Sequence, residues 1–220
     1  MPDAIITGAN RGIGLELCRV LAERGYSVTA LCRKPGSALK NLGIHVHDGY
    51  DVTDGTAIKA FARTLEPGSV DLLINNAGIL ESVSLDDLDL DSIRRQFEIN
   101  ALGPLRVTHS LLPALRRGAR VALMTSRMGS IADNESGGSY GYRMSKAALN
   151  AAGVSLAKDL KAKNIAVAIL HPGYVRTDMT NDSGLIDPDE SVAGLLERID
   201  QLTPKNSGSF WHSNGEILPW

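Results

Sequence analysis

Cysteine is scarce, with only Cys18 and Cys32 among 220 residues. Neither has metal-ligand spacing, and two thiols make no disulfide framework, so both are expected to be reduced packing residues. Long hydrophobic runs are missing too. No segment reaches the roughly 20 apolar residues that a membrane-spanning helix needs. Neither sign of charge is in surplus: 23 basic against 25 acidic residues leave a net charge of −2. A nucleic-acid partner would call for a basic excess, so none is expected. His45 and His47 alternate along an extended stretch, yet no third ligand accompanies them, and no resident metal is expected. The first strand is expected from Ala4, which leaves no room for a leader, and a cytoplasmic protein is the expectation. Repeats, low-complexity tracts and linkers are also lacking, so residues 1–220 read as a single domain.

Short apolar runs alternate with longer helical patterns along the chain. "DAIITGA", "YSVTALCR", "IHVHDGYDV", "VDLLINNAG", "ARVALMTS", "IAVAILHPG" and "GSFWHSNG" read as seven strands. "DLDSIRRQFEINALGPLRVTHSLLPALRRG" reads as one long helix, with Leu105, Thr108, Leu111, Leu112 and Leu115 on a shared face. A further helix is expected from the stretch "SYGYRMSKAALN" to about Lys163, and another near Pro188 to Leu202. Strands apolar on both faces and separated by helices imply an α/β fold. The expected architecture is a single Rossmann-type, doubly wound parallel sheet with helices on both faces.

Between the first strand and the first helix lies "TGANRGIG". Gly8, Gly12 and Gly14 allow a tight turn through which backbone N–H groups can approach a pyrophosphate at a helix N-terminus. Sites for a dinucleotide without a 2′-phosphate usually place an acid at the end of the second strand. Here that position reads Cys32, Arg33, Lys34, and Arg11 sits within the glycine turn. Cations at this corner suit a 2′-phosphate. NADP, as NADPH, is the expected cofactor.

Farther along, Tyr142 and Lys146 are four residues apart and so share one helical face. Tyr140 falls elsewhere around the helix and is expected to precede its regular part. The set Thr7-Gly8-x-x-x-Gly12-Ile13-Gly14, Asn75-Asn76-Ala77-Gly78, Asn100, Ser126, Tyr142-x-x-x-Lys146 and Pro172-Gly173 resembles the short-chain dehydrogenase/reductase family, in its order and over nearly the whole chain. "SRMGSIADN" and "GEILPW" are similar to its C-factor and sniffer-type carbonyl reductase branch.

The resemblance implies that Tyr142 donates a proton to a substrate carbonyl oxygen while NADPH delivers hydride to the carbon. Lys146, helped by the positive charge of the oxidised nicotinamide, would lower the tyrosine's pKa, and it would also hold the nicotinamide ribose. A cation about 4 Å away at an effective dielectric of 20 supplies about 4 kcal/mol, enough for a shift of about three units. Ser126 would hydrogen-bond the carbonyl, and Asn100 would hold a water that relays protons to the lysine. The implied cofactor set is Gly8, Asn10, Arg11, Gly12, Ile13 and Gly14 at the phosphates, Arg33 at the 2′-phosphate, and Asp51 and Val52 at the adenine. Asn75, Ala77 and Gly78 would pass beneath the cofactor. Pro172, Gly173, Val175 and Thr177 would contact the nicotinamide amide.

Ser126 lies farther before Tyr142 than the family's serine commonly does, and Ser130 is the alternative. The expected partner is a small neutral carbonyl substrate: an aldehyde, ketone or quinone. Its expected walls are Met128, Ile131, Tyr140, Tyr174, Met179 and Trp220, with Arg176 and Arg127 as the cations nearest to them. His171 is expected to be a packing residue. A homo-oligomer is left open. Two other readings carry less: a sugar-nucleotide epimerase, for which too little chain follows His171, and an NADP-binding signalling or regulatory protein with little turnover.

Overall fold

Ala4 and Ile6 leave the first strand on one side and Ile5 on the other, and each side meets its own helical layer. A computed structural model describes all residues, 1–220. In chain order it contains β1 (Asp3–Thr7), α1 (Gly12–Glu23), β2 (Ser27–Leu31), α2 (Ser37–Lys40), β3 (His45–His47), α3 (Gly55–Ala62) and β4 (Val70–Asn75). Then follow α4 (Leu90–Phe97), α5 (Gly103–Leu111), β5 (Leu115–Met124), α6 (Tyr140–Asp159), β6 (Ala166–His171), α7 (Pro188–Asp200) and β7 (Phe210–His212). The seven strands form one sheet in the order β3-β2-β1-β4-β5-β6-β7, parallel throughout.

On one face, Leu17, Cys18 and Leu21 of α1 pack with Val192, Leu195 and Ile199 of α7 over Ala30, Ile74 and Ala168. On the other, Ile58 and Phe61 of α3, Val107 and Leu111 of α5, and Leu149 of α6 cover Leu73, Val121 and Val167. Two covered faces leave the strands no polar side, which is why they read as continuous apolar runs. Sequence order reverses between β1 and β4. At such a switch point the loops diverge and open a crevice at the strands' C-terminal ends.

The expected long helix is broken in two places. Glu98–Leu102 form a π-helical turn between α4 and α5, and the helix stops at Leu111. Pro113 offers no N–H to continue it, and Leu115 already pairs with Val70 as part of β5. Leu115 therefore belongs to a strand and Leu105 is partly exposed. The buried face of α5 is Pro104, Val107, Thr108 and Leu111. Tyr140 also differs from expectation: it opens α6, directly after Ser139 in a left-handed conformation.

Candidate active site

The crevice between β1 and β4 holds a cavity of about 560 Å³. Gly8, Asn10, Arg11, Gly12, Ile13 and Gly14 wall one side of it. The turn is closely fitted: a Cβ on Gly14 would run into the Gly8 carbonyl oxygen and come within 2.6 Å of Asn76 Nδ2. Arg33 and Lys34 stand at the far corner with Asp51, Val52 and Tyr50, whose buried hydroxyl has no hydrogen-bond partner. Partial burial pushes the Asp51 carboxyl up, but hydrogen bonds from Thr53 and the charge of Arg33 outweigh this and the net pKa is lowered. Ala77, Gly78 and Thr177 complete the wall.

Asn75 departs from expectation. It is buried behind the wall, where its Nδ2 donates to Thr108 Oγ1 at 3.1 Å. Asn76 faces the cavity instead, and its Nδ2 donates to the carbonyl oxygens of Thr7 (3.2 Å) and Gly8 (3.1 Å). Strand alternation allows only one of two adjacent asparagines to face the crevice. Arg11 is engaged as well, donating to Asp178 Oδ2 at 2.8 Å across the cavity mouth. Glycine turn, helix N-terminus and basic corner together fit a dinucleotide with an additional phosphate.

A second cavity, of about 350 Å³, adjoins the first at Ile13, Thr177 and Met179. Tyr142, in the first turn of α6, and Ser126, after β5, line it together with Pro172, Gly173 and Val175. Ser126 caps the short 3₁₀ turn Arg127–Gly129, accepting from Met128 N at 3.2 Å. Ser130 is absent from the cavity wall, and its hydroxyl accepts from Asp133 N at 3.1 Å. Of the two serines, Ser126 is the one brought to Tyr142.

Lys146 is buried one turn below Tyr142, with its Nζ 5.6 Å from the phenol ring centroid. The ammonium donates to the Met124 carbonyl at 2.9 Å. Asn100 occupies the π turn, where its side chain clamps Ile79: Oδ1 accepts from Ile79 N and Nδ2 donates to Ile79 O, both at 2.8 Å. A Cβ on Gly78 would sit 3.1 Å from Asn100 Oδ1 and 3.5 Å from Lys146 Nζ, so the three groups converge.

In the protein alone, burial pushes the Tyr142 phenol up to about 12, with hydrogen bonding to Ser126 pulling against it. The same burial pushes the Lys146 ammonium down to about 8. Desolvation disfavours both charged forms, and at Tyr142 it outweighs the hydrogen bond to Ser126. Its sign gives a stability prediction. From about pH 8 towards the ordinary lysine value of 10.5, folded Lys146 has lost a proton that the unfolded chain still binds, so its contribution to stability rises with pH. Urea unfolding of the wild type and Lys146→Met across the lower part of this window should show the gain only in the wild type. Parallel curves for the two would refute it.

Met128, Tyr174 and Met179 line the second cavity as expected, whereas Ile131, Tyr140 and Trp220 do not. Trp220 stacks on Phe210 with ring centroids 5.5 Å apart, and Ile131 is exposed. Arg176 is turned to Asp187 (3.0 Å) and the Leu185 carbonyl (3.2 Å). His171, expected as packing, forms part of the cavity wall.

The family model described as short chain dehydrogenase matches residues 3–185. Over 226 residues, and the whole of both chains, the sequence is 43% identical to 1-hydroxy-2-glutathionyl-2-methyl-3-butene dehydrogenase of Rhodococcus sp. (strain AD45). It is 49% identical over 166 residues to C-signal of Myxococcus xanthus, spanning 74% of this chain and 100% of that protein. Among solved structures, NADPH bound carbonyl reductase from chicken fatty liver is similar with a TM-score of 0.92 and 31% identity, covering 100% of this chain and 99% of that one.

Proposed function

The chain belongs to the short-chain dehydrogenase family, and from that premise we propose that residues 1–220 act as one NADPH-dependent domain reducing neutral aldehydes, ketones or quinones. One observation carries the reading: a buried phenol faces a serine hydroxyl in a cavity that opens directly into the glycine-turn crevice. A binding module has no need for a desolvated proton donor at that junction.

The cofactor's fit follows from the wall. The N–H groups around Gly12 to Gly14 would receive the pyrophosphate, and Arg33 with Lys34 the 2′-phosphate, since the end of β2 carries these cations and no acid. When bound, NADPH supplies the hydride. The chain's own groups manage the substrate oxygen. Ser126 hydrogen-bonds it, and Tyr142 passes it a proton, moving the O–H electron pair onto the phenolate. Lys146, with its pKa at about 8, still carries its proton at neutral pH and places positive charge beside that phenolate. Asn100 holds the Ile79 backbone against the site.

The cavity's charges support a neutral substrate. Arg127 pairs with Asp133 at 3.4 Å and with Glu216, while Arg143 is spent on the Gly137 and Met128 carbonyls and the Ser136 hydroxyl. No cation is left to clamp a carboxylate or phosphate. No helix is long and apolar enough to cross a membrane. Two free thiols, Cys18 and Cys32, support a place in the reducing cytoplasm.

The similarity to C-signal favours one second reading, a cofactor-binding signalling protein with little turnover. NADPH oxidation followed with a panel of neutral carbonyls decides between the two: turnover dependent on the carbonyl supports the reductase, and its absence supports the second reading. The same assay tests the basic corner. Arg33→Ala should raise the NADPH dissociation constant about tenfold, the effect of one charge-assisted hydrogen bond, and change that for NADH about twofold at most. Equal effects on the two cofactors would overturn the 2′-phosphate assignment.

A further inference from the structure

The wall of the second cavity contains a polar side chain that the proton-transfer scheme leaves unused. His171 ends β6 and lines the second cavity, and its Nδ1 is buried with no hydrogen-bond partner. Arg127, on the same wall, turns its buried Nε to Asp133 Oδ2 at 3.4 Å, an ion pair without hydrogen-bond geometry. Behind His171 stands His212 in an edge-to-face arrangement, with ring centroids 4.8 Å apart. His212 Nδ1 accepts from Asn214 N at 3.0 Å, which fixes that ring's acceptor nitrogen.

The cluster holds His171 uncharged. Burial, His212 and the Arg127 guanidinium, in that order, push its pKa down to about 3. Burial and Arg127 also lower His212, with Glu216 opposing them. Asp133 and Glu216 are occupied with Arg127, so neither is paired with the His171 ring. A neutral imidazole carries one donor and one acceptor. An orphaned buried N–H is rarer and costlier than an unused acceptor lone pair. We therefore assign the ring proton to Nε2, which leaves Nδ1 as the sealed acceptor. The donor has no protein partner, and the ring that carries it faces the space where substrate must sit.

We propose that His171 is a specificity-determining residue whose neutral imidazole donates a hydrogen bond to a second oxygen of the substrate, away from the carbonyl that is reduced. The preferred substrate class is then a neutral carbonyl compound carrying a further acceptor oxygen, such as a dicarbonyl or a hydroxyketone. This rests on the reductase reading above. It refines that reading, because Ser126 and Tyr142 recognise only the reacting oxygen, whereas His171 discriminates by what lies beyond it. A site that hydrogen-bonds a substrate group rejects the analogue lacking it, because its own donor is left unpaired.

Benzil and deoxybenzoin share a carbon skeleton and differ in one carbonyl oxygen. The ratio of their kcat/KM values should fall about tenfold in His171→Phe relative to wild type, the effect of losing one hydrogen bond. The intrinsic reactivity of the diketone cancels in this comparison. His171→Gln, which restores a donor, should recover most of the ratio. In wild type the ratio should stay flat between about pH 5 and 8, as expected if His171 remains neutral across it. NADPH dissociation constants measured on each variant report an intact fold. If His171→Phe fails to bind NADPH, the smaller His171→Leu takes its place. An unchanged ratio, an equal fall for both substrates, or a step in the ratio near pH 6.5 overturns the proposal. Wild type that binds NADPH yet reduces neither probe nor any other neutral carbonyl overturns the reductase reading itself, and His171's role with it.

Discussion

Tyr142→Phe should bind NADPH as wild type does and lose about 10²–10⁴-fold in kcat, the span expected for removing a general acid. Phenylalanine fills nearly the same space, so the buried start of α6 keeps its packing and the loss is chemical. Ser126 remains to polarise the carbonyl, but no group at that position can then deliver a proton. Tyr140→Phe is the matched control. Tyr140 is partly exposed and lies off both cavity walls, so kcat should stay within about twofold. Stopped-flow or steady-state NADPH oxidation with one neutral aldehyde separates the two. Retained turnover in Tyr142→Phe would remove the proton donor from the scheme. Abolished turnover in Tyr140→Phe would move the chemistry two residues upstream.

The parts of this site that could be read from sequence are those set by local geometry. Gly8, Gly12 and Gly14 follow a strand and open a helix, and Tyr142 and Lys146 share a helical face because they are four apart. The sheet was legible for a similar reason, since strands covered on both faces lose their polar alternation. What escaped depends on contacts between distant segments. Arg11 meets Asp178 only because the loop after β6 folds back over the glycine turn. Trp220 stacks on Phe210, which no spacing foretells. His171 lines the cavity because β5, α6 and the loop after β6 meet beside it. Two misses carried local signals. Pro113 marked the end of α5, and the Asn75-Asn76 pair could present only one amide to the crevice. The shift in Tyr142 belongs to neither group: its sign turns on how completely the folded chain removes water, and burial outweighs the hydrogen bond to Ser126.

Gly129→Ala should cost roughly 10²-fold in kcat/KM while leaving NADPH affinity within about twofold. Gly129 closes the 3₁₀ turn that Ser126 caps, and α6 lies directly against it. A Cβ there would sit 2.8 Å from the Lys146 carbonyl carbon, 2.9 Å from Lys146 Cβ and 3.0 Å from Ala147 N. Two of these three atoms are helix backbone, so no flexible side-chain end can swing aside. Nor can the turn retreat freely. Asn150 Nδ2 donates to the Gly129 carbonyl at 3.3 Å, and Thr125 Oγ1 donates to Asn150 Oδ1 at 2.7 Å, strapping the end of β5 to the same helix. The added methyl must therefore pry the turn from α6, and with it Ser126 from Tyr142 and Lys146. Overpacking of this kind costs about 1–3 kcal/mol of stability. Misplacing catalytic groups by about 1 Å accounts for the larger kinetic loss. Gly55→Ala provides the contrast, since a Cβ there meets only the Arg106 side chain, at 3.5 Å. Urea unfolding, NADPH titration and steady-state kinetics on both variants test the argument. If Gly129→Ala keeps wild-type kcat/KM, close approach of the turn to α6 is not what sets the spacing of serine, tyrosine and lysine.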